Sequence, residues 1–326
     1  MDSDIEHKIF LAQRENFDEI AIEIFRFQYA NNAVYKKYID ELKINPQQIS
    51  EITQIPFLPI GFFKTHSIQT TAFLPEVIFN SSGTTQTINS NHLIKDISLY
   101  RKSFVEGFTR FYGRPDDWCI IGLLPSYLER KNSSLVLMVD ELIKMSRHPK
   151  SNFYLHEFEK LHEELKELEK RNQKTLLLGV SFALLDFAEK YPMQLNNTII
   201  METGGMKGRR EEITRKALHD FLKKQFGLSS IHSEYGMTEL LSQAYSKKEG
   251  IFESVSWMKF LIRSEEDPFD VKRTGAGIIN IIDLANIYSC CFIATDDVGK
   301  VFENESVEIF GRVDNSDIRG CSLLVI

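Results

Sequence analysis

The alternation of short, continuous apolar runs with helical segments is the feature that most constrains how this chain can fold. Apolar runs at residues 118–124, 176–180, 198–202 and 231–233 each have the length of a buried strand, and helical patterns lie between them. Strands that are apolar on both faces and alternate with helices are typical of a mostly parallel sheet covered by helices. The sequence therefore predicts the α/β class.

Two helical patterns in this region differ in character. Residues 133–145 are apolar on most faces and predict a buried helix, whereas residues 155–170 place leucines at helical spacing among Glu and Lys. The second pattern predicts a helix with one face in solvent.

The flanking regions follow other patterns. Before the core, an apolar stripe predicts an N-terminal helical cap, and the prolines within residues 55–64 predict an extended segment. After Gly250, β-type runs at 277–284, 290–295 and 307–310 predict a small β-rich subdomain that closes one side of a cleft. The predicted division is therefore 1–75 for the cap and extended segment, 76–250 for an α/β nucleotide-binding core, and 251–326 for the β-rich subdomain.

Composition excludes several classes of protein. Acidic residues outnumber basic ones by 46 to 39, giving a formal charge of −7, and the basic residues are dispersed, so no nucleic-acid partner is expected. The acidic start lacks the basic and apolar parts of a secretory signal, and the best apolar run, 176–188, is shorter than the roughly 20 residues that span a bilayer. We therefore expect a cytoplasmic protein without a membrane span.

The four cysteines show no zinc-binding spacing. Cys119, Cys290 and Cys291 each lie in an apolar run, and we expect them to be small core residues. The fourth cysteine, Cys321, lies near the end of the sequence.

A hydroxyl-rich loop follows the β-type run at residues 75–79. Its glycine allows backbone amides to approach a ligand, and its hydroxyls add donors, as a phosphate-binding loop requires. The loop lacks the Gly-Lys-Ser/Thr ending of a Walker A motif, and a plain turn is the alternative interpretation. Its candidate residues are Ser81, Ser82, Gly83, Thr84 and Thr85.

Residues 233–239, SEYGMTE, follow another predicted strand, where ligands collect in open α/β sheets. Tyr235 offers a stacking aromatic ring, Thr238 a hydroxyl, and Glu239 a carboxylate of the kind that binds Mg²⁺ beside substrate phosphates. The alternative is a strand-to-helix turn capped by Thr238.

Residues 202–210, ETGGMKGRR, also follow a strand and open a predicted helix. Their amides would face an anion, and a flat nucleobase would rest against Gly204 and Gly205. A loop whose arginines are solvated is the alternative.

Two late turns each bring a charge. Asp297 lies in TDDVG and Arg312 in GRVD, and a carboxylate with a guanidinium suits a ribose diol and a phosphate. Turn chemistry alone also explains both segments.

The order of SSGTT, EYGMTE, TDDVG and GRVD along the chain resembles the core motif order of adenylate-forming acyl and aryl ligases. The closer resemblance, over nearly the whole chain, is to the LuxE-type acyl-protein synthetases, the ATP-using subunit of the bacterial luminescence fatty-acid reductase. A more distant one is to phenylacetate-CoA ligases. Further matches are Phe63-Lys64, His92 with Asp96, Thr203-Gly204-Gly205 and Gly320-Cys321.

This resemblance implies a fold like the N-terminal domain of those ligases, with ATP and Mg²⁺ as cofactors. It implies that residues 81–85 hold ATP phosphates, that Thr238 serves phosphate, and that Glu239 holds the metal. The implied adenine and ribose contacts are Gly204, Gly205, Glu234, Tyr235, Gly236, Asp297 and Arg312.

The resemblance also makes Cys321 the acyl-carrying thiol, and the nearby Arg319 would favour its thiolate. A buried structural cysteine is the alternative.

The chain departs from the larger ligases in two ways. It ends at Ile326, so we expect no mobile C-terminal domain with a catalytic lysine, and Lys64 and Lys207 are the candidate replacements, with His92 as a further catalytic candidate. Gln86 stands where the ligase motif prefers glycine.

The expected activity is ATP-dependent conversion of a carboxylic acid, fatty or a related acyl acid, to acyl-AMP, followed by transfer to a thiol. That thiol would belong to Cys321, coenzyme A, a pantetheine carrier, or an acyl-accepting, reductase or carrier protein. The alternatives are an acyltransferase that uses a preformed thioester and a non-catalytic nucleotide-binding partner protein.

Overall fold

The computed structural model describes residues 2–81, 88–124, 132–205 and 213–312, with backbone only for residues 2–4. The α-helices are α1 (Asp2–Phe10), α2 (Phe17–Asn31), α3 (Ala33–Glu41), α4 (Phe62–Thr65), α5 (Ile97–Tyr112), α6 (Ser134–Ser146), α7 (Phe158–Lys170), α8 (Ser181–Lys190) and α9 (Arg215–Phe226). The strands are β1 (Leu58–Pro59), β2 (Val77–Asn80), β3 (Asn91–Ile94), β4 (Cys119–Leu123), β5 (Asn152–Tyr154), β6 (Thr175–Val180), β7 (Thr198–Thr203), β8 (His232–Tyr235), β9 (Ala244–Ser246), β10 (Ile251–Ser254), β11 (Met258–Arg263), β12 (Val271–Lys272), β13 (Gly275–Asp283), β14 (Phe292–Val301) and β15 (Val307–Arg312).

The chain forms two compact units, each assembled from separate stretches of sequence. Unit one contains the described parts of 2–104, 236–243 and 253–312, and unit two contains those of 105–235 and 244–252. The predicted division at residues 75 and 250 stays a prediction.

Unit two contains the parallel sheet. Its strands run in the order β5, β4, β6, β7, β8, all parallel, and β9 is antiparallel to β8. Strands β4 and β6 are buried along their whole length, as their continuous apolar sequences predict. The predicted α/β class is confirmed, and the four strands predicted in this unit are β4, β6, β7 and β8, with ends shifted by at most two residues.

Helix α6 is less buried than its sequence predicts. Its buried positions fall on one face, at Met138, Val139, Leu142 and Ser146, while Met145 is 38% exposed. The expectation of a buried helix was therefore wrong in degree. Helix α7 follows its prediction, because its three buried leucines lie on one face of an otherwise charged helix.

Unit one contains an antiparallel sheet in the C-terminal part, where the sequence predicted β-type runs, and β14 extends six residues beyond its predicted end. Its strands run in the order β12, β11, β13, β14, β15, and β1 adds to β14 in the parallel direction. Strands β2 and β3 form a separate antiparallel pair. The helical pattern predicted for the N-terminal region corresponds to α1, α2 and α3.

The segment at residues 55–64 is only partly extended, which corrects its prediction. Strand β1 covers Leu58–Pro59, but the chain turns at Gly61 into the one-turn helix α4, which begins after the last proline. A helix can form there because both prolines precede it and so leave its hydrogen bonds intact.

Gln28 of helix α2 ties the helical cap to residues 286–291. Its side-chain amide donates to the carbonyl oxygens of Asn286, Ile287 and Ser289, and its oxygen accepts from the amide of Cys291. This buried network holds the backbone after β13 in one conformation. Across the described part of the chain, no helix has both the length and the apolar character needed to cross a bilayer.

Candidate functional site

The predicted phosphate loop follows β2 and precedes β3, the antiparallel strand pair of unit one. The Ser81 amide donates to the Ser90 carbonyl at 3.1 Å, and the Ser90 amide donates to Ser81 Oγ at 2.8 Å, so the two ends of the loop are joined. Ser82, Gly83, Thr84 and Thr85 lie outside the described residues.

Glu239 lies in the segment 236–243 of unit one and is only 6% exposed. Burial raises the pKa of its carboxyl, while a hydrogen bond from the Ser90 side chain and the positive charges of Arg312 and Lys64 oppose that rise. The structure thus brings together, around one buried carboxylate, two cations and a hydroxyl from distant parts of the sequence.

His92 supports the same segment from strand β3. Its Nδ1 lies 2.8 Å from the carbonyl oxygen of Thr238, and its ring meets Phe63 edge to face at 5.7 Å. Burial lowers the pKa of His92 to about 4, although the Thr238 hydrogen bond opposes this, so the imidazole is neutral at physiological pH. Its geometry suits a supporting role, and its catalytic role stays a prediction.

Asp297 and Arg312 face each other across β14 and β15. Arg312 Nε donates to Asp297 Oδ1 at 2.8 Å, and Arg312 Nη2 lies 4.0 Å from the sulfur of Met237. The carboxylate is buried and the guanidinium is 68% exposed. The predicted ribose pair is therefore a contacting pair beside the segment that carries Thr238 and Glu239.

Sequence reasoning missed the groups that fix this segment from β13. Asp283 is fully buried and accepts from the amides of Leu241 and Ser242 at 2.8 and 2.9 Å and from Ser242 Oγ at 2.6 Å. Burial raises the pKa of Asp283 to about 6 despite these hydrogen bonds. The available signal was an aspartate at the end of an apolar run, because a buried acid needs partners.

Asn286, three residues later, was also missed. Its side-chain amide donates to the carbonyl oxygen of Glu239 at 2.7 Å. It lies at the end of a short 3₁₀ helix, Leu284–Asn286, which Asp283 caps by accepting from the Ala285 amide. No local sequence pattern marks this contact, because its partner lies 47 residues away in the chain.

In unit two, the predicted adenine contacts follow two adjacent parallel strands. Thr203 of β7 pairs with Glu234 of β8, so Gly204 and Tyr235 leave the same edge of the sheet. Gly204 has φ of +67°, and a Cβ added to Gly205 would meet no atom within 4 Å. Among the described residues, the backbone of this edge thus brings two glycines and a tyrosine close together in sequence register, the residue types that the adenine prediction names.

Glu234 points into the protein and accepts a hydrogen bond from the Thr203 hydroxyl. Burial, aided by the negative charge of Glu202, raises the pKa of Glu234 to about 7, even though the Thr203 bond opposes this. A buried carboxyl that is half protonated near neutrality is a neutral hydrogen-bonding group as readily as an anion.

Glu202 is its ionised neighbour. Burial pushes the pKa of Glu202 upward, but a hydrogen bond from His219 and the charge of Arg215 outweigh burial and lower it. Ser233 Oγ and a Glu202 oxygen both lie near the same His219 nitrogen, Nε2, at 3.3 and 3.5 Å. A Ser-His-acid triad uses the two different ring nitrogens, so this cluster is a structural network.

Other predicted site residues are distributed as follows. Lys64 lies exposed on α4, Gly236 is exposed in unit one, and Lys207 and Cys321 lie outside the described residues. Within the described ranges, no group of three or more His, Cys, Asp or Glu could hold a metal ion. A metal at Glu239 would therefore need substrate oxygens as ligands, which is how Mg²⁺ commonly binds beside phosphates.

Comparison with known proteins gives matches in sequence and in fold. The family model described as acyl-protein synthetase, LuxE, matches residues 10–326. A curated relative, the long-chain-fatty-acid–luciferin-component ligase of Vibrio harveyi, is 22% identical over 323 residues, covering 92% of this chain and 84% of the relative.

Two solved structures share the fold. 2-Hydroxyisobutyryl-CoA ligase in the postadenylation state has a TM-score of 0.64 at 10% identity. The match covers 93% of this chain and 69% of the ligase chain. ATP-bound MatB from Rhodopseudomonas palustris has a TM-score of 0.53 at 17% identity, over 74% of this chain. The match spans 50% of the MatB chain. These similarities confirm the predicted ligase-like α/β fold.

Proposed function

The chain belongs to the LuxE family of acyl-protein synthetases and is an acyl-adenylate-forming ligase, and from that premise we propose which residues carry the reaction. The substrate is a carboxylic acid, fatty or closely related, and ATP activates it to an acyl-AMP with release of pyrophosphate. A thiol then receives the acyl group.

One observation carries this proposal. Glu239 is buried beside the Ser90 hydroxyl and under the charges of Lys64 and Arg312, at the end of the hairpin that carries the phosphate loop. A single carboxylate suits Mg²⁺ that takes its remaining ligands from phosphate oxygens and water, and the two cations would attract the phosphate. Bound Mg²⁺ would neutralise charge as pyrophosphate leaves.

The remaining residues position the reactants. Arg312, held by Asp297 at 2.8 Å, would meet the ribose and phosphate end of the nucleotide. Gly204, Gly205 and Tyr235 would hold the adenine ring at the edge of the parallel sheet. The charge of Lys64 acts on Glu239, and Lys64 is the described candidate for the cation that would meet the developing charge on phosphorus. Lys207 is the second candidate.

The acyl acceptor is proposed to be Cys321, with coenzyme A, a pantetheine carrier or a separate acceptor protein as the other thiol sources. The described thiols do not compete for this role. Burial raises the pKa of Cys119 to about 11 and of Cys290 to about 12, and it also raises the pKa of Cys291 well above its ordinary value. None of these three would be a thiolate at neutral pH.

The decisive experiment is a screen of carboxylic acids for ATP–pyrophosphate exchange. We expect exchange that depends on one class of acid and on Mg²⁺, together with an acid hydroxamate when hydroxylamine is added. Acyl transfer from a preformed thioester without exchange would instead identify an acyltransferase. ATP binding without pyrophosphate release would identify a nucleotide-binding partner protein.

A second experiment tests the phosphate loop. Replacing Thr84 and Thr85 by Val keeps the side-chain shapes but removes both hydroxyls. We expect ATP affinity to fall in a folded double variant, and unchanged affinity would contradict the loop assignment.

A further inference from the structure

Two buried side chains hold consecutive carbonyl groups of the segment that presents Glu239. His92 Nδ1 contacts the Thr238 carbonyl at 2.8 Å, and Asn286 Nδ2 donates to the Glu239 carbonyl at 2.7 Å. Both side chains are 0% exposed. Each uses one of its two polar atoms for this purpose, and the second atom of each needs its own partner.

The hydrogen-bonding character of these second atoms follows from the first contacts. A carbonyl oxygen only accepts, so His92 Nδ1 carries the hydrogen, and in the neutral ring Nε2 is then an acceptor. Because Asn286 donates through Nδ2, its Oδ1 is an acceptor as well. Neither His92 Nε2 nor Asn286 Oδ1 has a hydrogen-bond partner among the described protein groups, and both are buried.

The hydroxyl oxygen of Ser289 is a third buried atom without a hydrogen-bond partner among the described protein groups. Its backbone carbonyl is fully engaged, because it accepts from Asn32 Nδ2 at 2.9 Å and from Thr70 Oγ1 at 2.6 Å. The Ser289 hydroxyl, which is able to donate, is therefore held at a fixed backbone position.

His92, Asn286 and Ser289 line one cavity of about 10 Å³ in unit one, together with apolar residues and the charged residues Lys95 and Asp96. That volume is about what a single water molecule needs. A water molecule has two hydrogens for two acceptors and lone pairs for one donor, which matches these three atoms. Burying the three atoms without a partner would be costly.

We propose that this cavity is a binding site for one ordered water molecule, which donates to His92 Nε2 and Asn286 Oδ1 and accepts from Ser289 Oγ. The water joins the two side chains that hold the Thr238 and Glu239 carbonyls into one network, so His92, Asn286 and Ser289 are positioning residues for the Glu239 segment. The bearing of this network on catalysis rests on the proposed metal role of Glu239, but the water site itself does not.

A high-resolution crystal structure of the full chain tests the site directly. We expect a density peak within hydrogen-bonding distance, about 2.6–3.2 Å, of His92 Nε2, Asn286 Oδ1 and Ser289 Oγ. An empty cavity would overturn the proposal. So would a metal cation in the cavity, or side chains turned so that the three atoms bond to one another.

Ser289→Ala tests the network in solution, because it removes the hydroxyl but keeps the carbonyl that Asn32 and Thr70 use. We expect amide hydrogen exchange in residues 238–243 to become at least about threefold faster, since the loss loosens the segment locally. Ser146→Ala is the matched control, because Ser146 and Ser289 are each 3% exposed and Ser146 lies in unit two. Its exchange in residues 238–243 should equal that of the wild type.

His92→Asn provides a second variant. An asparagine amide can occupy the position of Nδ1 and donate to Thr238, but it does not reach the position of Nε2. We expect it to speed exchange in residues 238–243 as Ser289→Ala does and to lose the density peak.

Amide hydrogen exchange at the wild-type rate in both variants would overturn the proposal. These measurements need neither ATP nor acid. They therefore remain valid if ATP–pyrophosphate exchange fails, and a negative result here leaves the proposed function untouched.

Discussion

Among the described carboxyl groups, Glu202, Glu234, Glu239 and Asp283 are each less than a tenth exposed and have a perturbed pKa, but their surroundings differ. Glu202 has a histidine and an arginine beside it, and its pKa falls, whereas burial dominates at the other three and their pKa values rise. A raised pKa means that the charged form is held at a cost, and such groups concentrate at functional sites. Glu234 and Glu239 lie in the motif that the sequence singled out, which makes them the residues to test first.

Glu239→Gln separates function from folding. The amide keeps the size and the hydrogen-bonding ability of the side chain but removes the charge that a metal needs, so we expect ATP–pyrophosphate exchange to fall about a hundredfold. The free energy of unfolding should change by less than about 1 kcal/mol, since burial already disfavours the ionised carboxyl. Exchange assays over a Mg²⁺ titration, with urea unfolding of the same variant, give both values.

The control for this variant is Glu308→Gln on β15, which changes a half-buried carboxylate of the same unit. If Glu239→Gln kept both its activity and its Mg²⁺ dependence, Glu239 would be only a turn residue.

The raised pKa of Glu234 predicts that the stability of the protein depends on pH. Its pKa is about 7 in the folded chain against an ordinary 4.5, so between these values the folded chain retains a proton that the unfolded chain has released. The contribution of Glu234 to the free energy of unfolding therefore falls as pH rises through this window, by up to about 3 kcal/mol.

Glu234→Gln removes this dependence, so its stability relative to the wild type should grow as pH rises from 4.5 to 8. Urea unfolding across that range measures the difference, with Glu253→Gln, at an exposed position of β10, as the control. Parallel pH profiles for Glu234→Gln and the wild type would mean that burial does not perturb this carboxyl.

Secondary structure was predictable wherever one physical signal dominated. The strand predicted at 176–180 is β6 (Thr175–Val180), because a continuous apolar run between helices has few alternatives. Helix α7 followed from leucine spacing. Helix α6 showed the limit, because apolar content does not reveal how many faces neighbouring elements cover. Helix α4 showed another limit of prediction, since a single helical turn after two prolines has no periodic sequence pattern.

Helix α9 ends at a glycine whose conformation the sequence only suggests. Gly227 has φ of +64°, and a Cβ there would lie 2.0 Å from Gln194 Oε1. The Nε2 of the same Gln194 side chain donates to the Gly227 carbonyl. Gly227→Ala should therefore cost about 1–2 kcal/mol of unfolding free energy, because a side chain disfavours the left-handed conformation and displaces Gln194.

Gly61→Ala is the contrasting substitution. Gly61 has φ of −58°, and an added Cβ would meet no atom within 4 Å. We expect it to be neutral or to stabilise the chain by up to about 1 kcal/mol. Equal urea midpoints for the two alanine variants would contradict the role assigned to the Gly227 conformation.

At the scale of the whole molecule, the order of the motifs predicted the family. It did not predict the contacts that hold the motif segments in place. Asp297 and Arg312 were predicted as one pair, and the register of β14 and β15 places them opposite each other. The predicted turn at Asp297 was wrong, because β14 continues to Val301 and Asp297 lies within it. Asp283 and Asn286 were missed because their partners are more than 40 residues away, and sequence patterns report local structure. Sequence patterns therefore predict candidate ligand-binding side chains, but not the distant side chains that hold the segment carrying them.

The reaction has two halves, and the thiols of the chain allow them to be separated. Cys119, Cys290 and Cys291 are buried, as their apolar neighbours predicted, and burial raises the pKa of each. A thiol that stays protonated is a poor nucleophile. Within this chain, Cys321 is therefore the remaining candidate for the acyl acceptor.

Cys321→Ala should keep acid-dependent ATP–pyrophosphate exchange within about twofold of the wild type, because adenylation does not need the thiolate. It should lose a covalent, hydroxylamine-labile acyl label, which radiolabelled acid and gel analysis would detect. Cys119→Ala is the matched control, since it removes a buried thiol of β4 and should keep the label. If the Cys321 variant lost exchange as well, Cys321 would have a packing role, and if it kept the label, another thiol would be the acceptor. A wild-type protein that never labels but forms acyl-CoA would make coenzyme A the acceptor and Cys321 structural.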